Sequence, residues 1–309
     1  MADGQPTAGT ANHRTEAHPS AQQNMTPFDN IYDQPDPRAY FRVLGEFDYQ
    51  TPQHAQRIFR RLVDTYPATT GSSGPITVLD ICCSYGINAA LLNHDLTLND
   101  LYAHYVSPAV ATLTTAQLIE YDRAFYAAHR RPDPIPVIGL DAARNAIDYA
   151  TAVGLLDAGF AENLETAPPS QDFRRAARHA RLITITGGAS FLSPRTFQAI
   201  LTGTDAPAWV AAFVLRTGSY QPIADGLARH GLITETAAST FPQRRFTSTE
   251  EQQYAIEEVT ALGAEPRGKE TAGYFHTALH LSRPAADIAA RPLSVLRPPT
   301  RPLRPQRGG

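Results

Sequence analysis

From about residue 76 onward, short apolar runs alternate with segments in which apolar residues recur every three or four positions. Unbroken short runs predict buried strands, and the wider spacing predicts helices with one buried face. The last such segment, 274–281, instead alternates, with Phe275, Leu279 and Leu281 on one face. The predicted strands are 76–80, 137–141, 159–161, 182–186, 210–215, a sixth that starts at Leu232, and 274–281.

The composition changes along the chain and divides it into regions. Residues 1–25 contain almost no large apolar side chain, so they should form a disordered tail. Residues 26–75 introduce aromatic and aliphatic residues and predict an N-terminal helical cover. Residues 76–282 carry the alternating strands and helices. Residues 283–309 are mainly proline and arginine, which predicts a disordered basic tail.

The first two predicted strands are unusually far apart, and the residues near 97–133 between them have a helical pattern of their own. Thr97 with Asp100 three positions later is typical of a capping box at a helix start. We therefore predict a helical insertion. Two roles remain open for it: a substrate lid, or a structural or dimer-forming addition.

Residues 76–92 read ITVLDICCSYGINAALL, a buried strand, a turn of small side chains and an apolar helix. Such a turn brings backbone N–H groups and a helix N-terminus to the edge of the sheet where open α/β folds bind ligands. The stretch resembles the first motif of class I S-adenosylmethionine (SAM)-dependent methyltransferases, acid-x-Gly-x-Gly-x-Gly. Cys82 and Ser84 stand where that motif has its first two glycines, and Gly86 keeps the third.

The resemblance covers roughly residues 76–282, and the order of strands and helices downstream supports it. It implies an α/β fold with a doubly wound, mostly parallel seven-stranded sheet that ends in an antiparallel hairpin. The N-terminal helices and the helical insertion are additions to that fold. Right-handed crossovers are expected between the parallel strands.

The resemblance also implies SAM as the cofactor and a role for each strand end. Asp80 would face the methionine ammonium, directly or through water, and Asp141 would accept both ribose hydroxyls. Glu162 or Asn163 would meet the adenine amino group, and Gly187 would allow close approach at the ligand centre. The predicted cofactor-binding residues are Asp80, Cys82, Ser84, Gly86, Asn88, Asp141, Glu162, Asn163 and Gly187.

Each of these residues also has a purely structural interpretation. Asp80 and Asp141 suit helix caps, and Glu162 suits a solvated loop. Cys82 and Cys83 suit packing as small apolar residues, since a reactive thiol needs a lowered pKa that sequence does not show.

The substrate side is less defined by the sequence. Strand four ends in Thr-Gly-Gly-Ala-Ser-Phe and lacks the Asn/Asp-Pro-Pro-aromatic tetrad of amino-methylating DNA and protein enzymes. A small-molecule substrate is therefore predicted, with substrate-side candidates Tyr32, Ser190 and Tyr220. Core packing is the alternative for both tyrosines.

Composition excludes several other classes. A net charge of −3 gives no general attraction to nucleic acid, and no apolar run reaches membrane-spanning length. No signal peptide is recognisable, so a cytoplasmic protein is expected. Two adjacent cysteines make neither a disulfide framework nor a zinc site. His276 and His280 share a strand face without a third ligand nearby, so no metal site is predicted.

These observations predict a SAM-dependent methyltransferase acting on a small metabolite. One alternative is an enzyme of the same fold that transfers or cyclises the aminocarboxypropyl arm of SAM and releases methylthioadenosine. The Cys-Cys-Ser-Tyr turn and the helical insertion keep that alternative open. A second alternative is a non-catalytic nucleotide-binding scaffold, which the altered glycine loop favours. A homodimer also remains open.

Overall fold

The computed structural model describes residues 25–72, 74 and 76–296. A seven-stranded sheet with the order β3-β2-β1-β4-β5-β7-β6 forms its centre. Neighbouring strands from β1 to β5 are parallel, and β7 runs antiparallel to both β5 and β6. The predicted fold class is therefore confirmed. The strands are β1 Thr77–Ile81, β2 Val137–Asp141, β3 Ala158–Ala161, β4 Ala180–Thr186, β5 Trp209–Leu215, β6 Leu232–Arg245 and β7 Tyr274–Pro284.

Helices cover both faces of the sheet, as a doubly wound fold requires. The described α-helices are α1 Asp29–Tyr32, α2 Arg38–Glu46, α3 Thr51–Thr70, α4 Ile87–Asn93, α5 Leu98–Tyr105, α6 Pro108–Ala111, α7 Thr115–His129, α8 Arg144–Ala152, α9 Gln171–Ala177, α10 Pro194–Leu201, α11 Gln221–Ala228, α12 Thr249–Ala261, α13 Ala285–Ala290 and α14 Leu293–Leu296. None of them combines the length and the apolar character that crossing a membrane would demand.

The apolar pattern of the strands follows from how they are covered. Every residue of β5 is buried, because the strand lies inside the sheet with helices on both faces. In β7 the predicted alternation holds: Phe275, Leu279 and Leu281 are fully buried. Their neighbours His276 and His280 lie on the other face and are half-buried.

The helical insertion consists of α5, α6 and α7, and the predicted capping box at Thr97 and Asp100 is present. Asp122 of α7 is fully buried and accepts hydrogen bonds from His104 and Tyr105 of α5, both at 2.7 Å. It also accepts one from Tyr149 of α8. The first two bonds join α5 to α7 within the insertion, and the bond from Tyr149 joins the insertion to α8.

The C-terminal segment departs from the sequence prediction of a disordered tail that starts at residue 283. Arg283 is fully buried, pairs with Glu235 and lies 5.0 Å from the ring centre of Trp209. Leu293 and Leu296 are buried against the protein, one helical turn apart. Two leucines at this spacing suffice to dock a short helix in a segment whose composition otherwise resembles a disordered tail. Residues 1–24 and 297–309, also predicted to be disordered, lie outside the described residues.

Candidate functional site

A cavity with a volume of about 640 Å³ lies at the carboxyl ends of the parallel strands. This is the edge at which open α/β folds bind ligands. The turn after β1, the ends of β2 and β3, the turn after β4, the N-terminal segment and β6 all contribute to it. Its lining includes Phe28, Tyr32, Asp33, Tyr40, Tyr49, Cys82, Ser84, Asn88, Asp141, Glu162, Asn163, Glu165, Thr186, Gly187, Ser190, Phe191, Gln243 and Arg244.

The turn after β1 has the backbone of a glycine loop although two of the three glycines are missing. Cys82, Ser84 and Gly86 have φ angles of 55°, 48° and 76°, so the backbone is left-handed at every second residue. A residue with a Cβ is strained there, at a cost of roughly 1–2 kcal/mol each. Strain of this kind persists only where the surroundings hold the backbone in place.

Asp141 at the end of β2 supplies part of that hold. One carboxylate oxygen accepts a hydrogen bond from the Ser84 backbone N–H at 2.8 Å, and the other accepts from Ala143 N–H at 2.9 Å. Burial raises the pKa of Asp141, while these backbone bonds oppose the shift. The residue thus braces the turn and the backbone that leads into α8, and it also lines the cavity, so a structural and a ligand-facing role are both compatible with the geometry.

Asp80 lies behind two residues of the cavity lining, Asn88 and Thr186. The residue is fully buried and does not line the cavity itself. Its carboxylate accepts hydrogen bonds from Thr184 at 2.7 Å and from Asn88 at 2.9 Å, and the same Asn88 amide donates to Thr186. Of the two links to an ammonium that the sequence left open, direct or through water, the geometry favours an indirect one, and the role of Asp80 stays a prediction.

Burial raises the pKa of Asp80 to about 7, although its hydrogen bonds from Thr184 and Asn88 lower it. The carboxyl group therefore gains or loses its charge near neutral pH. A cation bound above it would favour the ionised form.

Ser84 carries a polar atom that the protein leaves without a partner. Its hydroxyl oxygen is buried, lines the cavity and has no hydrogen bond within the part of the chain that the structure describes. A buried hydroxyl normally has a partner, so a ligand with a polar group at this point would complete the site. Gly86, in contrast, packs against Ala150 and Leu155 and does not reach the cavity, which corrects its predicted ligand contact.

The loop after β3 brings the predicted Glu162 and Asn163 to the cavity wall. Glu162 accepts the Ser170 N–H at 2.9 Å, and the Asn163 side-chain oxygen accepts the Glu165 N–H at 3.0 Å. Both side chains are thus fixed by backbone bonds while they face the cavity.

The turn after β4 approaches the turn after β1 closely. Gly187 has a φ of 88° and lines the cavity as predicted. A Cβ on Gly188 would lie 2.4 Å from the Cβ of Cys82, so these two turns touch only because Gly188 has no side chain. Burial strongly raises the pKa of the Cys82 thiol. Cys82 therefore acts as a packing residue beside the cavity.

The three substrate-side candidates differ in whether they line the cavity. Tyr32 and Ser190 line the cavity, but Tyr220 does not. Tyr220 is buried and stacks on His280, with ring centres 4.4 Å apart, so its predicted substrate role is corrected to core packing. It immediately precedes α11 and packs in the same buried cluster as Ile223 and Leu227 of that helix.

Tyr40, Tyr49, Gln243 and Arg244 are lining residues that the sequence interpretation missed. They come from the N-terminal region and from the end of β6, both distant in sequence from the strand-end motifs. Within the described residues, no group of three or more His, Cys, Asp or Glu could hold a metal ion.

The sequence matches no protein-family model and no curated protein. Among solved structures, the plantazolicin methyltransferase BpumL in complex with SAH is 12% identical, with 82% of this chain and 93% of that chain covered at a TM-score of 0.41. A precorrin-6y C5,15-methyltransferase from Geobacter metallireducens GS-15 is 8% identical, with coverage of 72% and 88% and a TM-score of 0.35. The [4+2]-cyclase SpnF is 11% identical, with coverage of 73% and 80% and a TM-score of 0.33.

The connectivity of the sheet identifies the fold. Five parallel strands in the order 3-2-1-4-5, followed by β7 inserted antiparallel between β5 and β6, reproduce the arrangement that the first motif implied. The chain has the fold of the class I SAM-dependent methyltransferases.

Proposed function

We propose that the cavity binds SAM and that the protein transfers its methyl group to a small metabolite. The observation that carries this proposal is the turn after β1, where Cys82, Ser84 and Gly86 keep the left-handed backbone for which the motif uses glycines. Holding two non-glycine residues in that strained conformation needs a reason, and strained backbone clusters at ligand-binding sites.

The lining also suits the chemical groups of SAM. The unpartnered hydroxyl of Ser84 offers a hydrogen bond beside the turn, and Asp141 keeps free lone pairs for ribose hydroxyls. Asn163 stands one strand further along, where the adenine would lie. A volume of about 640 Å³ falls within the range of roughly 300–1,000 Å³ for ligand sites, enough for SAM with a small acceptor.

When bound, SAM supplies an electrophilic methyl group: the acceptor's lone pair takes the carbon, the electrons of the broken C–S bond stay on sulfur, and the acceptor's proton leaves to water. The side chains of the protein would contribute placement of the two reactants, which can supply most of the acceleration for such a displacement. Asp80, Asn88 and Thr186 hold the floor of the cavity in one hydrogen-bonded arrangement.

The alternative transfer of the aminocarboxypropyl arm has less support. The insertion, one of the two features that kept it open, contributes no residue to the cavity lining among the described residues. The other feature was the cysteine pair, and burial raises the pKa of both thiols. A protonated thiol is a poor nucleophile.

The test is an incubation of the purified protein with SAM, first alone and then with pools of small metabolites, followed by chromatography and mass spectrometry of the nucleosides. We expect S-adenosylhomocysteine (SAH) to accumulate only when an acceptor is present. Enzyme-dependent methylthioadenosine without an acceptor would instead identify transfer or cyclisation of the arm. Binding of SAM without turnover in any pool would favour the non-catalytic scaffold.

A further inference from the structure

A loop of the N-terminal region, residues 47–50, pairs with the end of β6 beside the cavity. Gln50 N–H donates to the Gln243 carbonyl at 2.7 Å, and Arg245 N–H donates to the Phe47 carbonyl at 2.7 Å. These two bonds fix Tyr49, which the loop carries, relative to Gln243 on the strand. Both side chains line the cavity.

The loop is strained and held at several points. Asp48 has a φ of 53°, a conformation that costs a residue with a side chain free energy. Its carboxylate accepts hydrogen bonds from Tyr274 at 2.9 Å and from the Gln50 side chain at 3.2 Å. The Tyr49 carbonyl accepts a further bond from Tyr102 at 2.8 Å. The placement of Tyr49 is thus determined by three separate parts of the chain.

This arrangement brings two polar groups to the turn after β4. A Cβ built on Gly187 would lie 3.2 Å from the Tyr49 hydroxyl and 4.0 Å from the Gln243 side-chain nitrogen. Gln243 is only 7% exposed, and its side-chain oxygen is buried without a hydrogen-bond partner among the described residues. An amide held in this way at a cavity wall suits a ligand that donates a hydrogen bond.

The surface around this pair is aromatic. Tyr32, Tyr40 and Tyr49 line the cavity, and Tyr40 meets the other two edge-on at ring-centre distances of 5.7 Å and 6.4 Å. We name these three residues the tyrosine wall. Burial raises the pKa of Tyr40 and Tyr49 well above the ordinary value, so both phenols stay neutral.

Arg244 is the one arginine or lysine among the described lining residues, and it is paired with a carboxylate. Arg244 donates to both carboxylate oxygens of Glu251, at 2.9 Å and 2.8 Å, and its guanidinium lies about 5 Å from the rings of Phe28 and Phe275. Burial works against ionisation of Glu251, but its hydrogen bonds, those from Arg244 first, lower its pKa to about 2. The pair therefore stays intact across the physiological range, and the described lining offers no unpaired arginine or lysine to an acidic ligand.

The described lining contains four carboxylates. Each accepts a hydrogen bond from a backbone N–H: Asp33 from Asn145, Asp141 from Ser84 and Ala143, Glu162 from Ser170, and Glu165 from Ser193. The described lining thus presents four carboxylates against the single guanidinium of Arg244, a balance that disfavours an acidic ligand.

We propose that Gln243 and the tyrosine wall form the acceptor half of the cavity. This half takes an uncharged, planar aromatic molecule with an O–H or N–H group directed at the Gln243 side chain. This inference rests on the proposed function, because it assigns the remaining half of the cavity to SAM. A flat ring stacks on or against aromatic walls, and burying an unpaired carboxylate there would be costly.

The test uses binding and does not need turnover. The protein saturated with SAH is titrated with umbelliferone, with its methyl ether, which lacks the O–H, and with umbelliferone carboxylate, at a pH below the pKa of the hydroxyl. Umbelliferone should bind about threefold to tenfold more tightly than the ether and at least about tenfold more tightly than the carboxylate. Indole and indole carboxylate form a second matched pair with the same expected order.

Variants locate the effect. Gln243→Leu should abolish the preference for umbelliferone over its ether and leave SAH affinity unchanged. Tyr49→Leu should weaken all neutral probes, because it removes one ring of the tyrosine wall. The exposed Gln198 supplies the control Gln198→Leu, which should behave as wild type. If a variant fails to fold, the order of the probes on the wild-type protein still decides.

Three outcomes would overturn the assignment: no neutral probe binding at millimolar concentration, a carboxylate binding as tightly as its neutral partner, or an unchanged preference in Gln243→Leu. Absence of SAH binding would instead refute the proposed function itself, so the two failures are distinguishable.

Discussion

The two halves of the cavity are built in different ways. The cofactor half consists of strand ends and turns whose carboxylates are engaged by backbone N–H groups, as with Asp141 and Ser84. The acceptor half consists of side chains from distant segments, as with Tyr49 and Gln243, joined by two backbone bonds between a loop and an edge strand. The geometry of the cofactor half is therefore set by the sheet and its turns, whereas that of the acceptor half depends on how the N-terminal region packs against β6. Changes in each half should therefore have separable effects.

Gly188→Ala should produce the largest effect on the cofactor half. The new Cβ would lie 2.4 Å from the Cβ and 2.5 Å from the sulfur of Cys82, so one of the two turns must move. We expect a loss of about 1–3 kcal/mol in unfolding free energy and loss of SAH binding, measured by denaturant unfolding and calorimetry.

The double variant Cys82→Gly/Gly188→Ala should restore both properties, because it removes the clashing atoms. Gly218→Ala is the control, since its new Cβ would meet nothing closer than 3.8 Å. Failure of the double variant to recover would mean that the contact between the two turns is not the cause.

Asp141→Asn should weaken SAH binding by about 1–3 kcal/mol, because it removes a charged acceptor from the ribose position and from the Ser84 N–H. The exposed Asp148 on the same helix α8 offers Asp148→Asn as a control that removes the same charge. Calorimetric titration of both variants measures the difference. Equal affinities would separate Asp141 from the cofactor.

Asp80→Asn should change how stability depends on pH. The pKa of Asp80 in the folded protein is about 7, above its value of about 4 in an unfolded chain. The folded protein thus binds the proton more tightly, so this contribution to stability is complete below about pH 4 and is lost as the pH rises to about 7. Relative to Asp80→Asn, the wild type should lose up to about 1.4 kcal/mol per pH unit in that window.

Unfolding measured at several pH values tests this prediction. Parallel curves for wild type and variant would show that Asp80 does not titrate abnormally. Binding of SAM near neutral pH should in addition release a proton in the wild type alone, since its ammonium favours the ionised carboxylate beneath it. Calorimetry in buffers of different ionisation enthalpy detects that proton.

Cys82→Gly alone should have the smallest effect. Glycine relieves the left-handed strain at φ 55° but loses the packing of the thiol against Gly188, so the two changes oppose each other. We expect unfolding free energy within about 1 kcal/mol of wild type and unchanged SAH affinity. A large loss of activity with normal SAH binding would assign Cys82 a chemical role.

The contrast between the halves also explains what the sequence could predict. The β strands and the turn Cys82–Gly86 were readable because strand, small-residue turn and helix are consecutive in the chain. The direction of the Tyr220 ring was not predictable, because a position after a strand does not show whether the side chain points into the cavity or packs in the core against His280. Gln243 was not predicted as a lining residue, because nothing local in β6 distinguishes it from a solvated residue. Its position at the cavity depends on the hydrogen bond between its carbonyl and residue 50, which is distant in sequence.

The C-terminal segment is ordered by contacts that its composition does not show. Its composition predicted disorder, yet Arg283 and Leu293 both contact Glu235 of β6, the first by an ion pair and the second by a backbone N–H bond of 2.8 Å. The structure of this segment depends on contacts between residues far apart in sequence, which cannot be inferred from composition.

Calorimetric titration of the wild-type protein with SAH tests the central claim most directly, because it asks whether the strained turn after β1 serves a cofactor without requiring the acceptor to be known. The account predicts a one-to-one complex that also raises the melting temperature by several degrees at saturating ligand. A protein that shows neither binding heat nor stabilisation at millimolar SAH and SAM would contradict it.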